Sequence, residues 1–355
     1  MAFAAAGDQR AARTRRRSLR ETLQRIVQLA TDLQADALLC GGDLYEQERF
    51  AADTGAFLRS AFEGIHPVRV FLAPGNHDWY GPRSLYHAVE WSSNVHVFRA
   101  DRLEPVELED GLTLWGAAHC APANTAGFLE SFSVDGAGVH VALFHGSERG
   151  WFTDEGANKT LHAPFDAAQI ASAGLSHAFL GHYHHPRETA LLTYPGNPNP
   201  LSYGEHGEGG VVVATVNGDG TIERQRMPVA VTEAHDLLLD LDGVLSEQDV
   251  RGRIADAVSG LRGIARVTLS GNLPPEVDLR PRELQSVDSG LDALQVVIGE
   301  VRVRYDFDAI RQETTVRGEF VRRVLDDADL SDDLRRRVLV TGLRALDGRA
   351  DLEVE

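Results

Sequence analysis

Short continuous apolar segments recur along the chain, and each is followed by a tight turn that carries Asp, Asn or His. Apolar segments without polar alternation are typical of strands that are buried on both faces. Residues 18–34 and 54–62, which precede the first two of these strands, have their apolar residues at helical spacing. The pattern therefore predicts an α/β fold whose sheets are covered by helices. The turns are Gly42-Asp43, Gly75-Asn76-His77-Asp78, His145-Gly146 and Gly181-His182-Tyr183-His184.

These polar turns are predicted to lie together, because functional groups in α/β folds gather at the carboxyl ends of the strands. A lone histidine after an apolar strand is usually a core residue whose hydrogen bonds are satisfied. Several turns of this kind in one chain are better explained by a metal site, since unpartnered polar groups are costly to bury. Alternation in the extended segment directs His182 and His184 to the same side, so both can face a pair of ions.

The donor types indicate the chemistry. Asp43 can bridge two cations roughly 3.5–4 Å apart, as two-metal hydrolases require. Oxygen and nitrogen donors without thiolates suit Mn²⁺, Fe or Zn²⁺ rather than Ca²⁺. Two such ions activate a water for in-line attack on phosphorus, and a nearby histidine that is not a ligand can protonate the leaving oxygen. We assign that role to His77, so the sequence predicts a phosphoester hydrolase.

In their order along the chain, these turns resemble those of the calcineurin-like metallophosphoesterases. The resemblance is closer to the nuclease subunit of DNA repair, the SbcD type of bacteria, and it covers residues 10–215 well and the remainder loosely. It implies a four-layer αββα sandwich and an exo- or endonuclease that cuts DNA with two Mn²⁺ ions, with Mg²⁺, Fe and Zn²⁺ as other candidates. The additional residues that carry it are Leu44-Tyr45, His185-Pro186, Tyr194-Pro195-Gly196-Asn197 and Ser202-Tyr203-Gly204-Glu205.

The resemblance also implies a role for each site residue. His77 is the catalytic acid or positions the phosphate. The implied partners are DNA, a second copy of the chain, and an SMC-like coiled-coil ATPase of the SbcC type. The implied metal ligands are Asp43 as the bridge between both ions, Asn76, His145 and His182 on one ion, and His184 on the other.

One motif of the family is not found in this sequence. The family opens with a strand that ends in Asp-x-His, whose two residues complete the shell of the second metal, and residues 1–17 resemble the segment after that strand. Two expectations follow: the natural start lies further upstream, which we favour, or the protein is a one-metal or inactive relative. Glu46 also stands where some members of the family have a histidine.

Composition excludes several classes of protein. The chain has 355 residues, of which 43% are hydrophobic and 25% charged, as is typical of a soluble globular protein. No apolar run approaches the roughly 18–20 residues of a membrane span, and the start lacks the order of a secretory signal. Cys40 and Cys120 are predicted to be reduced and buried, as in a cytoplasmic protein.

The formal net charge of −18 argues against a nucleic-acid coat protein. A nuclease remains consistent with this charge, because contact with phosphates needs only a local basic surface. Arginines crowd the first segment, from Arg10 to Arg25, and a helix is predicted to start within it at Ser18, with a capping box to Glu21. They are interpreted either as a solvated helix face or as an edge that contacts phosphates, and the candidates for DNA contact are Arg13, Arg16 and Arg17.

Three domains are predicted: a catalytic domain at 1–230, a small α+β capping domain at 231–308 that contacts DNA, and a helical pair at 309–355. In the capping domain, Arg262, Arg266 and Arg280 are either phosphate contacts or ordinary surface arginines. The amphipathic helices at 316–325 and 331–346 are too short to bury their apolar faces alone. They therefore dock on the body of the protein or bind the ATPase.

Three functions remain open from the sequence. The first is a DNA nuclease subunit of an SMC-like ATPase complex. The second is a phosphodiesterase or phosphatase for small phosphoesters, and the additional domain and tail count against it. The third is a catalytically impaired structural partner of the ATPase.

Overall fold

A computed structural model describes residues 9–151, 161–205, 209–277, 279–287 and 289–348, with side chains from residue 12 onward. Helices and strands alternate, which confirms the predicted α/β class. Among these residues, no helix combines the length and the apolar character that crossing a lipid bilayer requires. Two compact units are distinguished, Met1–Ala234 and His235–Glu355.

The first unit contains the polar turns. Its elements are α1 (Gln9–Asp32), β1 (Ala37–Cys40), α2 (Thr54–Glu63), β2 (Arg69–Leu72), α3 (Leu85–Ala88), β3 (Val95–Val97), β4 (Glu104–Glu109), β5 (Leu112–Gly116), β6 (Val139–His145), a 3₁₀ turn (Arg149–Trp151), α4 (Ala167–Ser172), β7 (His177–Gly181), β8 (Arg187–Glu188), β9 (Leu192–Tyr194), β10 (Gly210–Val216) and β11 (Ile222–Pro228).

Two main sheets form the centre of this unit. One has three parallel strands in the order β1-β2-β3. The other has the order β4-β5-β6-β7-β9-β8, in which β5, β6, β7 and β9 run parallel and the edge strands β4 and β8 run antiparallel to their neighbours. Strands β10 and β11 pair as an antiparallel hairpin around the turn at Gly218-Asp219-Gly220.

Alternate residues of β2 explain how the layers stack. Phe71 lies in a buried cluster with Leu114 of β5 and Val141 of β6, so the two sheets pack against each other. Its neighbours Val70 and Leu72 lie instead in a cluster with the helices α1, α2 and α3. On the second sheet, α4 contributes to a further cluster with β6 and β7. The resulting order of helix, sheet, sheet and helix is the predicted four-layer sandwich.

The second unit is a smaller α+β body followed by three helices. Strands β12, β13 and β14 form one sheet in that order, and β13 and β14 are parallel. The elements are β12 (Ala234–Asp240), α5 (Glu247–Val258), β13 (Ile264–Leu273), α6 (Pro281–Leu284), β14 (Ala293–Val303), α7 (Phe307–Arg311), α8 (Val316–Asp326) and α9 (Asp332–Leu346).

The last helices bury apolar residues against one another. Val321 of α8 and Leu339 and Leu343 of α9 form a buried cluster with Tyr305 and Ile310. These helices therefore do find a mutual packing surface. Part of their apolar surface remains exposed, at Val316, Leu334 and Leu346.

Two sequence predictions about this fold were wrong. Helix α1 begins at Gln9, not Ser18, and Ser18 lies inside it. The alanines and arginines that precede Ser18 are strong helix formers, so the helix continues through a potential cap. Cys120 is exposed, because it follows the end of β5 in a loop, whereas Cys40 on β1 is partly buried; both are free thiols.

His177 predicts how the stability of the first unit depends on pH. Its ring is buried between the Ala190 carbonyl at 3.2 Å from Nδ1 and Thr193 Oγ1 at 2.9 Å from Nε2. Burial lowers the pKa of His177 from 6.5 to about 4. The unfolded chain therefore binds this proton more readily, and stability is lost as the pH falls from 6.5 towards 4.

Replacing His177 with Gln removes this titration while keeping one donor and one acceptor. The wild type is expected to lose up to about 3 kcal/mol more unfolding free energy than H177Q between pH 7 and pH 4, at about 1.4 kcal/mol per pKa unit. Urea denaturation at several pH values measures the difference. H87Q, which alters an exposed histidine, serves as the control, and equal pH slopes for H177Q and the wild type would contradict the assignment.

Candidate functional site

The carboxyl ends of strands from both sheets meet at one place. Cys40 of β1 pairs in register with Leu72 of β2, and His145 of β6 pairs with Gly181 of β7. The two sheets approach closely there, since a Cβ atom on Gly181 would lie 1.9 Å from the carbonyl oxygen of Gly41. Glycine is required at this contact, and the turns that follow these strands are brought together as predicted from their positions.

His145 is at the centre of the polar cluster. Its side chain is fully buried, and its Nδ1 donates to the carbonyl oxygen of Gly41 at 2.8 Å. Its Nε2 faces Asn76 Oδ1 at 3.0 Å, His182 Nδ1 at 3.2 Å and Asp43 Oδ2 at 3.3 Å. Three groups with lone pairs therefore surround this nitrogen, which is favourable only when a proton or a cation lies among them.

The electrostatics of the cluster follow from its burial. Burial opposes the charge on Asp43, but the neighbouring His145 outweighs it and holds the pKa of Asp43 well below its usual range. Burial and the adjacent His145 lower the pKa of His182 to about 3. Asp43 is thus an ionised carboxylate and His182 a neutral imidazole near pH 7, which are the forms that bind metals.

Two residues of the cluster hold unusual backbone conformations. Asp43 has φ 54° and His182 has φ 112°, in the left-handed region that non-glycine residues rarely adopt. Such conformations persist where surrounding contacts fix them, and they are concentrated at functional sites. Here they turn the two side chains from the ends of β1 and β7 towards His145.

Asp78 ties the first two turns together. It is fully buried, and its carboxylate accepts from the backbone N–H groups of Gly75 at 2.6 Å, Asp43 at 3.0 Å and Leu44 at 2.7 Å. The hydroxyl of Tyr86 donates to it at 2.6 Å. Asp78 therefore fixes the backbone that presents Asp43 and Asn76. Its presence in the turn is evident from the sequence, but its structural role is not.

His77 lies at the exposed edge of this cluster. Its backbone N–H donates to Asp43 Oδ1 at 3.0 Å, and its ring Nδ1 lies 3.2 Å from Glu46 Oε2. Its side chain is 55% exposed, so solvent or a substrate can reach it. Glu46, which replaces a histidine found in some members of the resembled family, thus holds the ring of the predicted acid.

His184 is held separately from the other four predicted ligands. Its Nδ1 lies 3.0 Å from Glu205 Oε1, and among the described residues no hydrogen bond or ion pair links it to Asp43, Asn76 or His145. Glu205 also accepts from Asn197 Nδ2 at 2.6 Å. A carboxylate on one imidazole nitrogen orients the ring and leaves the other nitrogen for a ligand.

The arginines of α1 lie at the surface. Arg13, Arg16 and Arg17 are exposed, and Arg16 and Arg17 follow Arg13 by three and four residues, which places them on one helix face. Arg20, one turn further, is paired with Asp53 at 2.7 Å. In the second unit, Arg266 is paired with Asp236 and Arg280 with Glu283, which favours the interpretation of these two as structural surface arginines.

The donor set fits a divalent metal in its chemistry. Two ligands bound at about 2.1 Å and separated by about 90° lie roughly 3.0 Å apart, and the three contacts of His145 Nε2 span 3.0–3.3 Å. In the described part of the chain, no three His, Cys, Asp or Glu side chains are grouped around a single point. The cluster also includes the amide of Asn76, and each of its three contacts is made with Nε2 of His145.

Comparison with known proteins identifies the fold of the first unit. Residues 14–186 match the model of the calcineurin-like phosphoesterase family. This stretch is a calcineurin-like phosphoesterase domain. It includes all five predicted metal ligands and His77, and it confirms the predicted hydrolase class, whose members use divalent metals. The narrower assignment to the SbcD type stays a prediction.

Two solved structures are also similar to this chain. One, described as the crystal structure of TT1561 of Thermus thermophilus, is 14% identical, with 58% of this chain and 92% of that chain covered and a TM-score of 0.35. A second is 15% identical, with 57% and 92% covered and a TM-score of 0.37. A search of the curated proteins found no match.

Asp78 is expected to be essential for the arrangement of the site. In D78N one acceptor oxygen becomes an amide group that faces N–H donors, so the unfolding free energy is expected to fall by about 3 kcal/mol. Y86F removes only one hydrogen bond and is expected to cost about 1 kcal/mol. Urea denaturation in the presence of a chelator measures both. A D78N protein as stable as Y86F would show that Asp78 does not organise the two turns.

Proposed function

We propose that the chain is a metal-dependent phosphodiester hydrolase that acts on DNA, as the nuclease subunit of an SMC-like ATPase complex. The observation that carries the hydrolase part is the convergence of Asp43, Asn76 and His182 on the buried Nε2 of His145. The phosphoesterase domain supports the same chemistry. The surface of α1 supports the proposed preference for DNA, and the surface of α8 and α9 supports the proposed partner.

Each residue of the site has a separate proposed role in hydrolysis. Asp43, Asn76, His145 and His182 would hold one divalent ion, and His184, oriented by Glu205, would bind a second ion together with Asp43. Bound ions supply an activated water and stabilise negative charge on the phosphoryl oxygens. His77 is exposed at the edge of this set, so it can approach the leaving oxygen and give it a proton. Glu46 holds the ring of His77 in place.

The surface of α1 favours a polymeric substrate over a small one. Arg13, Arg16 and Arg17 form a positive row on a chain whose formal net charge is −18. This helix is joined to the site region, because Thr22 Oγ1 donates to Asn199 Oδ1 at 3.2 Å, close in sequence to Glu205. A small phosphoester is too short to contact such a row of arginines, whereas the successive phosphates of a nucleic acid backbone can bind it.

The ATPase partner is proposed to bind the last helices. Val316, Leu334 and Leu346 remain 75%, 46% and 44% exposed on α8 and α9. Apolar residues on an amphipathic helix pair are the usual surface for another helix. We further propose that two copies of the chain assemble in the complex and that it acts in the cytoplasm.

An assay with Mn²⁺ tests the proposed activity on two substrates, end-labelled DNA and a chromogenic phosphodiester. H77A is expected to lower kcat on DNA by roughly 10²–10⁴-fold, because a general acid contributes about that factor. H87A, at an exposed histidine, is the matched control, and a chelator is expected to abolish activity. Cleavage of the ester without cleavage of DNA would favour a small-substrate enzyme, and cleavage of neither would favour a structural partner.

Arg13, Arg16 and Arg17 are tested together in the variant R13S/R16S/R17S. Binding to DNA is expected to weaken and its dependence on salt to become shallower, by about 0.9 in the logarithmic slope for each phosphate that is no longer neutralised. Cleavage of the chromogenic ester is expected to be unchanged. The control R59S/R102S/R323S removes three arginines that form surface ion pairs. Equal DNA affinity for the two triple variants would refute a role of α1 in DNA binding.

A further inference from the structure

His162 lies beside the polar cluster and has no role among the predicted site residues. Its ring centroid is 5.5 Å from that of His182 and 6.3 Å from that of His119. The charges of His145, Asp43 and His77 all act on it. It is therefore a neighbour of the cluster, although it is 17 residues from His145 along the chain.

The backbone holds His162 firmly in this position. Its N–H donates to Ser147 Oγ at 3.0 Å, and its carbonyl accepts from the N–H of Ser147 at 2.8 Å. The next residue, Ala163, is fully buried with φ 41°, and a Cβ atom on Gly146 would lie 2.8 Å from its carbonyl oxygen. His162 and Ala163 thus pack closely against Gly146 and Ser147, and Ala163 holds a strained backbone conformation there.

The ring of His162 has unused capacity for a ligand. Its Nδ1 is buried and makes no hydrogen bond among the described residues. A buried imidazole nitrogen without a partner is costly, and native structures rarely keep one without a reason.

His119 differs from His162 in this respect. Its Nε2 donates to the carbonyl oxygen of His145 at 2.8 Å, and its Nδ1 lies 2.9 Å from Thr125 Oγ1. Both nitrogens of His119 are therefore occupied, and this ring supports the backbone of His145. Within the described parts of the chain, His162 is the neighbouring imidazole that retains a nitrogen without a hydrogen bond.

The spacing of the rings is that of ligands on a common ion. Two imidazoles bound to one metal through bonds of about 2.1 Å place their ring centroids roughly 4.5–5.5 Å apart. The centroids of His145 and His182 are 5.0 Å apart, and those of His162 and His182 are 5.5 Å apart. His182 thus has two imidazole neighbours, His145 and His162, at the spacing expected of ligands on one ion.

We propose that His162 is an additional imidazole ligand of the metal centre formed by Asp43, Asn76, His145 and His182. This inference rests on the proposed function, because it presupposes that the cluster binds a divalent metal. It gives the centre a donor from the loop after β6, outside the polar turns at the strand ends. With His162 as a ligand, this centre has five donors from the protein: Asp43, Asn76, His145, His162 and His182.

Calorimetric titration of the metal-free protein with Mn²⁺ tests this role directly, without a measurement of activity. H162Q and H162G are expected to bind Mn²⁺ at least about 10–100-fold more weakly than the wild type, since loss of residues that merely support ligands already has that effect. H140Q is the matched control, because His140 also has a buried nitrogen without a partner but lies at the start of β6. Its affinity is expected to equal that of the wild type.

Added imidazole separates a ligand from a residue that only supports the fold. Imidazole at millimolar concentration is expected to restore Mn²⁺ affinity to H162G and not to H162Q, and thermal unfolding in a chelator checks that both variants are folded. Wild-type affinity in H162Q and H162G, or no rescue by imidazole, would overturn the role of His162 alone. Failure of the wild type to bind Mn²⁺ would overturn the proposed function together with this inference.

Discussion

The geometry of the site depends on one buried hydrogen bond, from His145 Nδ1 to the carbonyl oxygen of Gly41. This bond fixes the tautomer of His145 and directs Nε2 towards Asp43, Asn76 and His182. It also explains the glycines of the polar turns. A Cβ atom on Gly42, Gly75 or Gly181 would lie within 2.8–2.9 Å of His145 Nδ1. These glycines are therefore needed because the imidazole, together with still closer atoms of Gly41, Asp43 and Gly75, occupies the space where their side chains would be.

A second set of contacts offsets the cost of concentrating polar groups at the strand ends. Asp43 and His182 adopt strained backbone conformations, and Asn76 and Asp43 bring oxygen lone pairs next to His145. Asp78 stabilises the turns by accepting hydrogen bonds from three backbone N–H groups. The fold thus separates the side chains that converge on His145 from a buried carboxylate that holds their backbone.

Much of this arrangement could be predicted from the sequence, because parallel strands bring their carboxyl ends to one edge. The apolar runs located the strands, and the turns after them located Asp43, Asn76, His145 and His182. The pairing of Glu46 with His77 and the position of His162 could not be predicted, since both depend on how loops distant in sequence fold over the sheet. The start of α1 was misjudged because the local signal at Ser18 is weaker than the helix propensity of the residues before it.

Helix α1 connects the surface charge to the interior of the site. Its buried Thr22 bonds to Asn199, and the carboxylate of Glu205 acts on the half-buried guanidinium of Arg15. Glu205 in turn orients His184. A phosphate chain that binds the surface arginines of α1 would therefore bind a helix whose other face contacts the segment that positions His184. The surface arginines of α1 and the position of His184 are thus linked through one helix, and this link is the physical basis of the proposed preference for a polymeric phosphodiester over a small ester.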